Sequence, residues 1–191
     1  DAPKISLRTA LGHRSYLASL ASSFANGWAV FGVRVSLVPL FVEEVLRRDG
    51  AFAGTALAVF AAGNVVMLLV AGRLADTIGR KPMVILGLLV AGGGTIWLGF
   101  TDSVLLFLVA SVVAGMGSGL LTPAQQATVA DVIGSKGRGG PVLAAFQMAA
   151  DIGAVIGPIA AGILADQLSY SAAFAMTGVL AVVAALVWLP V

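Results

Sequence analysis

The sequence has little charge, no cysteine and a single histidine. Charged residues make up 10% of the chain and apolar residues 59%, whereas an average soluble domain has roughly 25% charged residues. So little charge cannot cover a water-soluble protein of 191 residues. The missing cysteines exclude disulfides and thiolate metal sites. Histidine and acidic ligands for a metal are not clustered either, so neither a metal nor a cofactor is predicted.

The basic residues lie in short clusters between apolar runs, and the formal net charge is only +2. This pattern argues against nucleic acid as a partner. A spanning helix needs about 20 mostly apolar residues, whereas outer-membrane strands alternate over segments of about 10. The runs here are long and do not alternate, which predicts an all-α membrane protein in a lipid bilayer. The predicted spans cover approximately residues 16–42, 51–71, 83–100, 104–124, 142–165 and 172–189.

Six spans place both ends of the chain on the same side of the membrane, and the positive-inside rule orients them. The opposite side has only Arg47 and Arg48, beside five acidic residues. We therefore predict a multi-pass protein of the cell membrane with both termini cytoplasmic. The basic residues on the terminal side are Lys4, Arg8, Arg14, Arg73, Arg80, Lys81, Lys136 and Arg138.

Residues 72–82 combine charge and glycine between two apolar runs. Glycine permits the backbone of a tight turn, and Pro82 suits the first turn of the next helix. This segment resembles the loop signature of the major facilitator superfamily, Gly-x-Leu-small-Asp-basic-aromatic-Gly-Arg-basic-(basic or Pro). It departs from that signature at Thr77 and Ile78. The matching residues of this cytoplasmic gate motif include Gly72, Arg73, Asp76, Gly79, Arg80 and Lys81.

The resemblance implies one domain, residues 1–191, that is half of a twelve-helix transporter and consists of two three-helix repeats. The repeats would cover about 14–103 and 104–191. The chain begins with Asp1 rather than Met, and its first apolar run is too long for a signal-peptide core. We therefore expect a piece of a longer polypeptide, whose missing six-helix half is a partner. The fourth span has no arginine, which favours the C-terminal half.

The resemblance also implies roles for charged residues of the gate. Asp76 would lock helix ends together in one conformational state, and Arg80 would pair with an acid at the end of the fourth helix. Asp131 occupies that position. A hydrated pair of this kind is worth only ~0–1 kcal/mol, which suits a latch that opens in each cycle.

The fifth span carries a second resemblance, to the glycine-proline signature of exporters in this superfamily. Small residues four apart allow close helix contact, and proline within a helix removes a hydrogen bond and can kink it. Plain helix packing explains the pattern equally well. The packing and kink candidates are Gly153, Gly157, Pro158 and Gly162.

Polar residues within spans are the candidates for transport. Asp151 lies ~15 Å into the fifth span at 1.5 Å per residue, and an ionisable residue there marks a functional site. It is the proton-coupling candidate, with a neutral Asp bonded to a neighbouring helix as the alternative. Arg34 could bind an anionic substrate, neutralise an acid or snorkel to the surface. Neutral side chains could line a substrate cavity or only join helices: Asn26, Asn64, Gln125 and Gln147.

We therefore predict a secondary active transporter that works by alternating access and exports small organic compounds in exchange for protons. An enzyme is not predicted, because an intramembrane serine protease needs a histidine base in a later span. The one histidine, His13, precedes the first span. A pore-forming or structural membrane subunit that acts only as an oligomer stays open as the alternative, although no filter-like loop is visible.

Overall fold

A computed structural model describes residues 5–134 and 139–191. A short helix, α1 (Leu7–Leu11), precedes six helices that are long and apolar enough to cross a membrane. This confirms the predicted all-α membrane fold with six spans. The basic residues Lys4, Lys136 and Arg138 lie outside the described residues. The six long helices are α2 (Arg14–Glu44), α3 (Gly50–Ile78), α4 (Arg80–Gly99), α5 (Val104–Ile133), α6 (Gly140–Gln167) and α7 (Tyr170–Val187).

Two helices extend well beyond their predicted ends. We predicted that the second and fourth spans end at Ala71 and Ala124, but α3 continues to Ile78 and α5 to Ile133. Most of the gate motif is therefore the last two turns of α3 rather than a loop, because leucine, alanine and arginine favour helix even where the segment is polar. The chain reverses at Gly79 alone, whose φ of 94° lies in the region that favours glycine.

The helices of the first half of the chain pack on those of the second half. α2 packs against α6 and α7, α3 packs against α5, and α4 packs against α5 and α7. The consecutive helices α3 and α4 have little contact with each other. The six helices thus form one interleaved bundle. The division into repeats at residues 103 and 104 stays a prediction.

Glycines allow several of these helix pairs, including α2 with α6 and α3 with α5, to approach closely. A Cβ atom at Gly153 of α6 would collide with the backbone of Phe24 in α2. Likewise, a Cβ atom at Gly115 or Gly119 of α5 would collide with the backbone of α3. Small residues at helix contacts are typical of membrane bundles, where dispersion between closely packed backbones replaces the hydrophobic effect.

The helix α2 contains a π-helical segment, Gly27–Arg34, within an otherwise α-helical span. A π segment inserts a residue into the helical repeat and is often found at functional sites. It ends at Arg34, whose side chain is only 5% exposed and lies inside the bundle. The apolar residues around this segment gave no sign of it in the sequence.

α3 and α6 are the least covered helices. Only 22% and 17% of the most apolar window of these helices is buried, against 56% in α2 and α5. Their exposed side chains are large and apolar, as at Leu69 and Val155. These two faces flank the site described next.

Candidate functional site: a polar groove beside a buried arginine

A groove of about 460 Å³ lies between α2, α3, α5 and α6. Each of these helices contributes one predicted cavity residue, so the fold brings the four amide candidates together. The amides have donors and acceptors that can bind polar groups of an organic molecule. The four residues are Asn26, Asn64, Gln125 and Gln147.

Hydroxyl groups also line the groove, and the sequence prediction missed them. The Ser118 hydroxyl lies 3.3 Å from Asn26 Oδ1, to which it can donate. The Thr122 hydroxyl donates to the carbonyl of Ser118, at 2.9 Å. Serine and threonine within spans commonly bond to their own backbone in this way, so sequence alone does not single out the ones that face a cavity.

Gln125 is the most deeply placed amide of the groove. Its side chain is 3% exposed, and its Oε1 has no hydrogen-bond partner among the described residues. A buried amide oxygen without a donor is costly. Gln125 therefore offers an acceptor for a donor group that enters the groove.

Arg34 lines a smaller chamber of about 20 Å³ next to the groove. Its Cζ atom lies 3.9 Å from the centre of the Phe60 ring, in the geometry of a cation–π contact. Its Nε and Nη1 atoms have no acceptor within residues 5–134 and 139–191. The chamber and the groove share the walls formed by Asn26, Val30, Phe60 and Ser118.

Asp151 does not line the groove. It is exposed in a shallow depression on the outer face of α6, among Met148, Ile152, Val155 and Ile156. Successive residues of an α-helix are turned by about 100°, so Ala150 faces the groove while Asp151 points away from it. The link is indirect: Gln147 Nε2, in the groove, donates to Asp151 Oδ1 at 3.2 Å.

At the terminal side of the bundle, Arg80 and Asp131 form a salt bridge. Arg80 Nη1 also donates to the carbonyl of Ala127, at 3.1 Å. The two side chains of the ion pair are 42% and 61% exposed, so its contribution is ~0–1 kcal/mol. The pair joins the start of α4 to the last turn of α5.

The other gate residues are less tied to the bundle. Lys81 Nζ donates to the carbonyl of Leu189, at 2.9 Å, just beyond the end of α7. Asp76 and Arg73 are exposed and form no ion pair in the part of the chain that the structure describes. Gly72 faces open space. The structure thus brings Arg80 and Asp131 together and leaves Asp76 apart.

The glycine-proline segment of α6 lies against the π-helical segment of α2. A Cβ atom at Gly157 would lie 3.0 Å from the carbonyl oxygen of Trp28, and one at Gly32 would lie 3.0 Å from Cδ of Pro158. Gly162, by contrast, has open space where a Cβ atom would be. Of the four packing and kink candidates, Gly153, Gly157 and Pro158 lie at the close contact with α2, and Gly162 does not.

Comparisons with known proteins agree with this architecture. A crystal structure of a mutant of the peptide transporter POT superposes with a TM-score of 0.82 at 22% identity, over 99% of this chain and 40% of that one. Multidrug resistance protein 2 of Bacillus subtilis is 30% identical over 146 residues, 76% of this chain and 36% of that protein. Multidrug resistance protein MdtM of Escherichia coli O157:H7 is 27% identical over 139 residues, 73% of this chain and 34% of that protein.

The chain thus spans about a third of the length of these two relatives. The likeness to the solved structure shows the fold alone, because the sequence identity is only 22%. The family model for the Major Facilitator Superfamily matches residues 19–191, nearly the whole chain. The chain belongs to the Major Facilitator Superfamily of membrane transporters.

Proposed function

We propose that this chain is one six-helix half of a proton-coupled exporter of small organic compounds, and not an enzyme. The observation that carries the proposal is the groove, to which each of four membrane helices contributes at least one amide side chain. Polar groups at the meeting point of helices are where secondary transporters bind substrate. The multidrug resistance relatives support small organic compounds as the substrates.

The missing half of the polypeptide closes the groove in this proposal. The groove opens between the least covered helices, α3 and α6, whose outer faces are apolar. A second six-helix half packed on these faces would enclose the substrate, and rocking of the two halves would expose it to each side in turn. Both termini are cytoplasmic, by the positive-inside rule applied to Arg8, Arg14, Arg80 and Lys81.

Protons act through Asp151 and Gln147 in this proposal. An ionised carboxylate only accepts hydrogen bonds, whereas a protonated one can also donate. Protonation of Asp151 would therefore change the bond that it accepts from Gln147. Since Gln147 lines the groove, this bond supplies a short route from the proton site to the substrate.

The salt bridge between Arg80 and Asp131 is the proposed latch of the cytoplasmic gate. It stabilises the outward-open state by joining α4 to α5 at the terminal side. An exposed pair is weak and replaceable by water, so the latch can open without a large barrier. The exposed Asp76 would find its partner in another state or in the missing half.

The test uses the full-length transporter in proteoliposomes, with the accumulation of an organic substrate driven by a proton gradient. We expect Asp151→Asn to lower gradient-driven accumulation at least about tenfold, a loss typical of removing a proton-transfer group. Downhill exchange should persist, because the amide groove is intact. The matched control is Asp102→Asn, which removes an exposed acid from the short turn before α5. Undiminished accumulation by Asp151→Asn would disprove the coupling role.

A further inference from the structure

Arg34 is a buried cation without an anion. Its side chain is 5% exposed, and two of its nitrogen atoms lack acceptors in the described part of the chain. This burial excludes snorkelling to the membrane surface, which the sequence had left open. The Phe60 ring offsets part of the cost of burial through the cation–π contact. It supplies no hydrogen-bond acceptor in the plane of the guanidinium.

No acid among the described residues neutralises Arg34. The salt bridge found there joins Arg80 to Asp131. Asp151 lies within a span, but on the outer face of α6, where it accepts from Gln147. Glu44, at the far end of α2, accepts a hydrogen bond from the Tyr170 hydroxyl at 2.7 Å. An unpaired buried cation is destabilising, so this site is incomplete without an anion.

The chamber in front of Arg34 has room for one small polar group. Its volume of about 20 Å³ exceeds the roughly 10–15 Å³ that one water needs. Because it shares Asn26, Phe60 and Ser118 with the groove, a molecule in the groove can place a small polar group in the chamber.

We propose that Arg34 is the receptor for the carboxylate of an organic monoanion whose body occupies the amide-lined groove. One guanidinium balances one negative charge, and carboxylates form strong charge-assisted hydrogen bonds with it. The Phe60 ring, which lines both cavities, contacts the guanidinium on one side and offers the apolar body a surface in the groove. The inference rests on the proposed function, since it names the substrate class of the same groove.

The test measures binding to the purified full-length transporter in nanodiscs by isothermal titration calorimetry. The probes are naphthoate, naphthamide and naphthylmethylamine, which share one ring system and differ in charge. We expect naphthoate to bind at least about tenfold more tightly than naphthamide, the range for hydrogen bonds to a charged group. Arg34→Gln should abolish this preference, and Arg34→Lys should keep part of it because the charge remains.

The matched control is Arg48→Gln, which removes an exposed cation on the opposite side of the membrane and should keep the full preference. Thermal unfolding of each sample shows whether a variant is folded. If Arg34→Gln does not fold, the ranking of the three probes by the wild type and by Arg34→Lys decides the matter. A wild type that binds naphthamide as tightly as naphthoate overturns the inference, as does a folded Arg34→Gln variant that keeps the preference.

Binding in nanodiscs requires no proton gradient, so the two proposals fail in different ways. Carboxylate-selective binding without proton-driven transport would overturn the proposed coupling and leave the anion site standing. Proton-driven transport by a protein that binds only neutral or cationic probes would overturn the anion site and leave the proposed coupling standing.

Discussion

The salt bridge between Arg80 and Asp131 is the one interaction of the gate whose partners can be exchanged. We expect Arg80→Gln and Asp131→Asn each to lower the stability of the full-length protein by ~0–1 kcal/mol, because the pair is exposed. The double variant should lose less than the sum of the two. The exchanged pair, Arg80→Asp with Asp131→Arg, should recover part of the loss. Recovery should be incomplete, because the hydrogen bond that Arg80 donates to the carbonyl of Ala127 is lost when position 80 becomes an aspartate.

Thermal unfolding in nanodiscs gives the four values of this double-mutant cycle. Arg48→Gln is the charge-matched control outside the gate. Strictly additive losses in the double variant would mean that the two side chains do not interact in the assembled protein.

Single residues also show where prediction from the sequence stops. The sequence position of a residue in a span gives its depth, from the rise per residue, but not the direction of its side chain in a helix that is apolar all round. Asp151 and Gln147 are four residues apart, yet only Gln147 lines the groove. The direction of Arg34 depends on the π-helical segment, which no composition signal revealed.

At the scale of the helices, the contact between α2 and α6 provides a test within one helix. Gly153 of α6 meets the backbone of Phe24, whereas Gly162 of the same helix faces open space. We expect Gly153→Ala to destabilise the protein by about 1–3 kcal/mol, since an added methyl group overpacks the contact. Gly162→Ala should be neutral or stabilising by up to about 1 kcal/mol, because alanine favours helix.

Both variants are compared by thermal unfolding of the full-length protein in nanodiscs. Equal effects of the two substitutions would show that the close approach of α2 and α6 does not limit stability. A strong destabilisation by Gly162→Ala alone would instead indicate that the proposed second half packs against that face of α6.

The helices themselves were readable from the sequence, and their ends were not. Each apolar run is long enough to demand lipid, and the six predicted spans all exist. The predicted ends at Ala71 and Ala124 were wrong because helices continue into water wherever the residues favour helix. Only Gly79, with its positive φ, breaks the helix at the gate.

At the scale of the whole molecule, the amides of the groove came from separate spans of the sequence. Their meeting depends on α2 packing on α6 and α3 packing on α5, and both contacts depend on glycines. Small residues predict that helices pack closely but not which helices are partners. The groove could therefore be predicted as a set of residues, and its geometry required the fold.

Residues of the groove also provide a test that distinguishes a transporter from a pore. In alternating access, a site near one mouth of the groove closes as a site near the other mouth opens, whereas an open pore exposes both together. Gln126 lies seven residues from the terminal-side end of α5, or ~10 Å, and Phe31 lies about 26 Å from the same side along α2. Both residues line the groove, and the chain contains no cysteine, so each can be replaced by a single cysteine.

The test uses the full-length protein, freed of other cysteines, and a membrane-impermeant maleimide. When a proton gradient is imposed, we expect the labelling rates of Gln126→Cys and Phe31→Cys to change in opposite directions. A shift of the conformational equilibrium opens one mouth and closes the other, so the labelling rate rises at the first and falls at the second. Leu105→Cys, on an exposed apolar position of α5 that does not line the groove, is the control and should not respond. Parallel changes at both groove positions would contradict alternating access and favour a pore that acts as an oligomer.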